Sequence, residues 1–300
     1  MTEARFVHIA DDVPELAGHT PVLVTALDGF LDAGNASALA VTHLTDGKAG
    51  RVVASFEVDE FYDYRARRPP MTFLEDHYAD YEAPRLVVRL MKDELEVPYL
   101  LLTGPEPDIR WEAFARAVRT VVAHLGVRLV VSLGSVPMAV PHTRPVQLTN
   151  HATASRLLVQ ENVWKGEIRV PASAQSLLEL RLGEWGHDAM GFVAHIPHYV
   201  AQFDYPNAAA ALLEGLEGVT GLQWDQSALK EAGEARQVEI ATQIADSDDV
   251  REVVTGLEQQ YDAFHRQASN LLAEDEAIPS GEEIGAQFEQ FLARLEEPED

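Results

Sequence analysis

The stretch Trp111-Glu112-Ala113-Phe114-Ala115-Arg116-Ala117-Val118-Arg119-Thr120-Val121-Val122-Ala123-His124-Leu125-Gly126-Val127-Arg128-Leu129-Val130-Val131-Ser132-Leu133-Gly134 decides the fold class. Trp111, Phe114, Ala115, Val118, Val121, Val122 and Leu125 fall on one face at helical spacing, which predicts a helix from Trp111 to Leu125. Asp108 is its candidate cap, and Gly126 stands where a left-handed residue ends a helix. Val127 to Leu133 is then almost continuously apolar, the pattern of a strand buried on both faces of a parallel sheet.

The same alternation extends outward on both sides. Val22 to Leu27 reads as a buried strand, followed by a glycine turn and a helix from Asn35 to Leu44 with Asn35 as N-cap. Val52 to Phe56 is a further strand, and Leu86–Met91 and Tyr99–Thr103 can pair as a hairpin. Ala174 to Trp185 is a helix capped by Ser173 and ended by Gly186, Gly191 to Ile196 a strand, and Asn207 to Gly218 a helix. Strands and helices in this order predict an α/β fold, a mainly parallel sheet with helices on both faces.

The chain has 300 residues, no cysteine and a formal net charge of −26. Disulfides and thiolate chemistry are therefore excluded, and so are zinc sites built on cysteine. The charge opposes binding to nucleic acid and to anionic lipid. No apolar run reaches the roughly 20 residues that a membrane-spanning helix needs. The opening Met1-Thr2-Glu3-Ala4-Arg5 leads into mixed polar sequence without a secretory stretch, so the expected location is cytoplasmic.

From Asp225 to Asp300 there are 20 acidic and 5 basic residues, net −15, which sets the end of the chain apart. The expected division is a sandwich domain over 1–222 and an acidic helical extension over 223–300. Within the extension a helix is expected from about Ala228 to Ala245. Val250, Val254, Leu257, Tyr261, Phe264, Ala268 and Leu271 then form a heptad seam. Ser280 and Glu283 make a capping box, after which Ile284, Phe288, Phe291 and Leu295 repeat the spacing. This reads as a helical hairpin with Leu257, Tyr261, Phe264, Phe288 and Phe291 as candidate partner-binding residues; the other reading packs both stripes on the body.

Three segments at strand ends could carry chemistry. Asp28-Gly29-Phe30-Leu31-Asp32-Ala33-Gly34-Asn35 lies where open α/β sheets bind ligands. Its glycine turn offers backbone N–H groups to an anion, while Asp28 and Asp32 would repel phosphate and instead cap those groups or hold a ligand hydroxyl. The spacing is neither a P-loop nor a dinucleotide fingerprint. In Asp59 to Pro70 the three arginines Arg65, Arg67 and Arg68 could as a group take a phosphate or carboxylate, or pair with surplus acids, with Arg65 and Arg68 as the candidates singled out. In Leu133 to Pro145, Ser135, His142 and Arg144 could cluster, although Pro137 replaces the second glycine of a hydrolase elbow. With Asp28, Asp32 and Asn35 these make the candidate ligand-binding set; no catalytic residue, cofactor or metal is expected. His195 and His198 lack a third ligand at a matching spacing.

The segments Gly29-Phe30-Leu31-Asp32-Ala33-Gly34, Tyr62-Asp63-Tyr64-Arg65 with Arg68-Pro69, Gly104-Pro105-Glu106-Pro107, Leu133-Gly134 with Pro141-His142-Thr143-Arg144-Pro145, and Pro197-His198-Tyr199 follow one order. In that order, from about Thr20 to Leu222, the chain resembles the proteasome assembly chaperone 2-like family, in its actinobacterial branch of uncharacterised proteins. The resemblance implies a three-layer α/β/α sandwich similar to nucleoside phosphorylases. It also implies a homo-oligomer, with a trimer as its suggested form, and a scaffold or assembly-chaperone role with a proteasome-related protein partner. Factors that dock on proteasome rings through a hydrophobic-Tyr-x tail differ from the Leu295-Glu296-Glu297-Pro298-Glu299-Asp300 of this sequence, so that mode of docking is not expected. The alternative function is a nucleoside-type small-molecule binder, or a hydrolase- or phosphorylase-like enzyme.

Overall fold

The computed structural model describes residues 6–271, except 30, 49, 160–161, 163–165 and 246–247. Ten strands and six α-helices alternate along the described residues: β1 Val7–Ile9, β2 Val22–Asp28, α1 Ala36–Thr45, β3 Arg51–Phe56, β4 Thr72–Leu74, β5 His77–Ala79, β6 Val87–Lys92, β7 Pro98–Pro105, α2 Trp111–His124, β8 Leu129–Met138, β9 Leu148–Ala152, α3 Ala174–Glu184, β10 Ala189–Pro197, α4 Pro206–Thr220, α5 Ser227–Ala245 and α6 Asp248–Leu271.

Eight strands form one sheet in the order β1-β3-β6-β7-β2-β8-β10-β9. The four central strands, β7, β2, β8 and β10, are mutually parallel. The flanks are antiparallel: β1 on β3, β3 on β6, β6 on β7, and β9 on β10. The sheet is thus mixed, with its parallel part confined to the centre. Each parallel step needs a crossover, which the connecting helices supply, whereas β6 and β7 are joined by a short turn that permits only antiparallel pairing.

Alternating side chains of the strands feed two separate cores. On one face Val22, Val24, Leu129, Val131 and Leu133 pack with Leu44 of α1, Leu212 and Leu213 of α4, and Leu229 and Ile240 of α5. On the other face Leu23, Leu100, Leu102 and Val130 pack with Phe114, Val118 and Val121 of α2 and Leu178 and Leu182 of α3. Burial of each such side chain contributes about 1.5–3 kcal/mol, which makes this double-sided packing the main source of stability. The outcome is the three-layer sandwich that the resemblance implies, with helices on both faces of a sheet that is mixed rather than mainly parallel.

Helix ends follow local chemistry with two departures. Ser173 caps α3 in a capping box with Ser176, as its position suggests. Asn35 occupies the N-cap position of α1 but adopts a left-handed backbone and makes no side-chain cap. Asp108 likewise does not cap α2, whose N-cap position is Arg110. Strand β8 also runs on to Met138, so Gly134 to Met138, expected to open a loop, continues the sheet.

The edge strand β9 has an unusual neighbour. Asn162 accepts from the Asn150 backbone N–H at 2.8 Å and donates to the Asn150 carbonyl at 2.6 Å, both through its side-chain amide.

The chain divides into two compact units, Met1–Glu258 and Gln259–Asp300. In the first, Val254 and Leu257 of α6 are buried. In the second, Tyr261 is half-buried and Phe264 exposed. The Ser280–Glu283 capping box and the stripe holding Phe288 and Phe291 lie outside the described residues.

Candidate functional site

The parallel strands β2, β7, β8 and β10 end together, at Asp28, Pro105, Met138 and Pro197. Asp28 is exposed there, and its carbonyl accepts from the Glu106 N–H at 2.8 Å. Beyond it Asp32 does what Asn35 does not. Its Oδ1 accepts from the Ser37 N–H at 2.8 Å and its Oδ2 from the Ala38 N–H at 3.0 Å, so its carboxylate occupies the positive N-terminus of α1. Asp32 also bridges to Ser135 of β8, whose Oγ lies 2.9 Å from Asp32 Oδ1 and 2.8 Å from the Ala33 carbonyl. The single hydroxyl proton serves one of those acceptors at a time.

Gly34 turns the chain between them. Its φ is +66°, and a Cβ there would meet Tyr205 Cβ at 2.8 Å. Its N–H donates to the Ala201 carbonyl, and its own carbonyl accepts from the Tyr205 N–H. Asn35 Nδ2 donates to Asp204 Oδ1 at 2.6 Å. The first candidate loop is therefore stitched to the segment following β10.

The N-terminus of α3 is closed in the same way. Glu106 Oε1 accepts from the Ala174 N–H at 2.6 Å, alongside the Ser173 cap. The Glu106 carbonyl in turn accepts from Arg67 at 2.6 Å. Arg67 pairs with Asp108 at 2.8 Å and lies 4.7 Å from the centre of the Tyr62 ring. Asp108 Oδ2 also accepts from the Asp63 N–H, which explains why it is not a helix cap. Of the three arginines in this loop, Arg67 enters the strand-end cluster, while Arg65 and Arg68 are exposed.

The third segment contributes a separate cluster. His142 is buried, and Tyr199 Oη accepts from its backbone N–H at 2.8 Å. Tyr199 Oη also lies 2.7 Å from His142 Nδ1. With one proton to give, the tyrosine donates it to Nδ1, which fixes the histidine as the Nε2–H tautomer. Burial pushes the His142 imidazole below its ordinary range, with Glu258 opposing, and pushes the Tyr199 phenol up. Gln237 of α5 donates to the His142 carbonyl at 2.9 Å, and Glu258 of α6 pairs with Arg144 at 3.3 Å and accepts from Thr143 Oγ1. Among the described residues no hydrogen bond joins Ser135 to His142: one braces Asp32 and the other Tyr199.

His195 Nε2 lies 2.8 Å from Thr149 Oγ1, and His198 is exposed. Among the described residues no three His, Asp or Glu side chains converge as a metal set, and no helix is long and apolar enough to cross a membrane. A cleft of about 380 Å³ lies at the opposite end of the sheet, by Gly50–Arg51 and Leu90–Glu96. Lys48–Glu94, Arg51–Glu15 and Lys92–Glu96 pair within its lining, and Asp93 accepts from the backbone N–H groups of Leu95, Val97 and Gln223.

Sequence reasoning missed Glu106, Tyr199 and Gln237 as members of these clusters, and of the three arginines it singled out Arg65 and Arg68 rather than Arg67. The Pro-flanked acid in Gly104-Pro105-Glu106-Pro107 was the available signal for the first.

The chain is similar to solved structures over most of its length. A Mycobacterium tuberculosis protein of unknown function is 45% identical, with 87% of this chain and 92% of that one covered at a TM-score of 0.81. A Corynebacterium glutamicum protein of unknown function is 34% identical, with 86% and 97% covered at 0.81. A Mycobacterium tuberculosis proteasome-assembly chaperone homologue is 28% identical, with 78% and 99% covered at 0.72. No curated protein matches the chain. The PAC2 family model matches residues 26–244. That span takes in every strand end and loop of the site just described, and by it the chain belongs to the PAC2 family.

Proposed function

We propose that this protein is a non-enzymatic, self-associating scaffold with an assembly-chaperone-like role. The observation that carries the reading is the use made of the strand ends. In open α/β sheets that is where ligands bind, and helix N-termini there offer N–H groups to anions. Here Asp32 occupies the N-terminus of α1 and Glu106 that of α3. A phosphate would have to displace a carboxylate that already satisfies those donors. The strand ends act as bracing: their hydrogen bonds tie Asp32–Asn35, Tyr62–Arg67 and His142–Arg144 to neighbouring elements. Similarity to a proteasome-assembly chaperone homologue supports the same reading and supplies the partner to test.

The test is co-expression with the proteasome α and β subunits of the source organism, followed by light scattering and mass spectrometry of the purified complex. The expected result is a self-associated protein that co-elutes with incompletely assembled proteasome subunits. A strictly monomeric protein that leaves the subunits behind would sink the reading.

A further inference from the structure

Residues 70–85 form an arm. Strands β4 and β5 pair only with each other, apart from the main sheet. From Pro70 through Tyr78 every residue is exposed. A two-stranded hairpin of three-residue strands is marginal in water without a surface to pack on. This one nevertheless carries Met71, Phe73, Leu74, Tyr78 and Tyr81, all between 45% and 73% exposed. Phe73 and Tyr78 face each other across the strands with ring centres 5.1 Å apart. An apolar patch of this extent marks a contact surface.

Area and charge point to one occupant. At the scale of 150–250 Å² per aromatic ring, the arm presents roughly 500 Å² of apolar surface. Covering it with an equal patch removes about 1,000 Å² from water, the threshold of a specific interface. The arm is also polar along its length. Glu75 and Asp76 form its tip, with Asp76 3.0 Å from His77 Nδ1; Arg65 and Arg68 stand at its root, where Glu82 also lies, its N–H bonded to the Pro70 carbonyl, and Arg85 lies where the arm rejoins the sheet. Among the described residues none forms an ion pair with Arg65, Arg68 or Arg85. Two copies of a chain with net charge −26 repel at a distance, so contact between them needs local opposite charge. Both halves of the required pattern are present on this one chain.

We infer that the 70–85 arm is the contact surface for a second copy of this chain, laid so that its apolar residues are covered and its Glu75–Asp76 tip meets the Arg65–Arg68 root of the other copy. The inference deepens the scaffold reading and rests on it. The arrangement suits either a closed pair or a closed ring.

Sedimentation velocity on the full chain at tens of micromolar tests it. Wild type, Phe73→Asp/Tyr78→Asp, Arg68→Glu, and Arg68→Glu/Glu75→Arg are compared, with circular dichroism confirming an unchanged fold. Wild type is expected to sediment as an oligomer and the aromatic double variant as a monomer. Arg68→Glu should weaken association at least tenfold, and the charge-exchanged pair should restore it. An oligomeric wild type whose aromatic variant keeps the same mass overturns the arm and leaves the scaffold reading intact. A monomeric wild type overturns both. An aromatic variant that dissociates while charge exchange fails to rescue overturns the tip-to-root arrangement.

Discussion

Ser135 Oγ lies 2.9 Å from Asp32 Oδ1, a contact that ties the end of β8 to the start of α1 across 103 residues of chain. The same carboxylate holds the N–H groups of Ser37 and Ala38, so one side chain closes a helix end and joins two crossovers. Asp32→Ala should lower stability by about 2 kcal/mol, since it leaves the Ser37 and Ala38 backbone donors without their acceptor and removes the tie to Ser135, whose hydroxyl keeps only the Ala33 carbonyl. Asp32→Asn keeps one acceptor oxygen and should cost less. Urea titration measures both, and an unchanged or raised midpoint for Asp32→Ala would show that the carboxylate is not a brace.

Arg67 should govern the integrity of its loop. Arg67→Ala removes the Asp108 pair, the bond to the Glu106 carbonyl and the stacking on Tyr62. The exposed Arg65 and Arg68 are then the readout: limited trypsin digestion should cut after them several-fold faster than in wild type. Equal cleavage rates in the two proteins would mean that Arg67 does not hold the loop.

Stability should decline on the acid side. Burial holds His142 and His195 below the ordinary histidine value of 6.5, with Glu258 partly opposing at His142. The unfolded chain therefore takes up protons first, and stability present above about pH 6.5 is lost as the pH falls further. Protonating Nδ1 of His142 also abolishes its role as acceptor for Tyr199. Thermal midpoints should drop between pH 7.5 and 5.5, and His142→Gln should show a shallower slope. Parallel slopes for the two proteins would remove His142 as a cause.

Nucleosides and inorganic phosphate should bind poorly. At millimolar ligand the expected thermal shift is under about 1 °C, because a ligand that binds the folded state with a millimolar constant stabilises it by only a few tenths of a kcal/mol. A shift of several degrees, abolished by Asp32→Ala, would restore the small-molecule reading.

Much of this architecture was legible in the residues. Helix α2 and strand β8 were readable because burial on one face and on two faces leaves different periods. The flanks were harder. Strand β9, Leu148-Thr149-Asn150-His151-Ala152, is polar because it lies at an edge, so it has no apolar signature. At α1 the cap is not Asn35 but Asp32, the other reading that the residues allowed; it reaches N–H groups five and six residues ahead, across a turn that depends on Gly34. An ordinary cap reaches only two or three. Nor could spacing say which of Arg65, Arg67 and Arg68 turns inward, since an irregular loop has no period. The partners Asp108 and Glu106, some 40 residues away, decide it.

The amide of Asn162 has a wider meaning. It supplies the Asn150 backbone with the donor and acceptor that a further strand would bring. An edge blocked in this way is a poor template for fibre growth. At Asn150 the place that a strand of a second copy would take along β9 is thereby already filled, so pairing of copies along that edge would first have to displace the Asn162 amide.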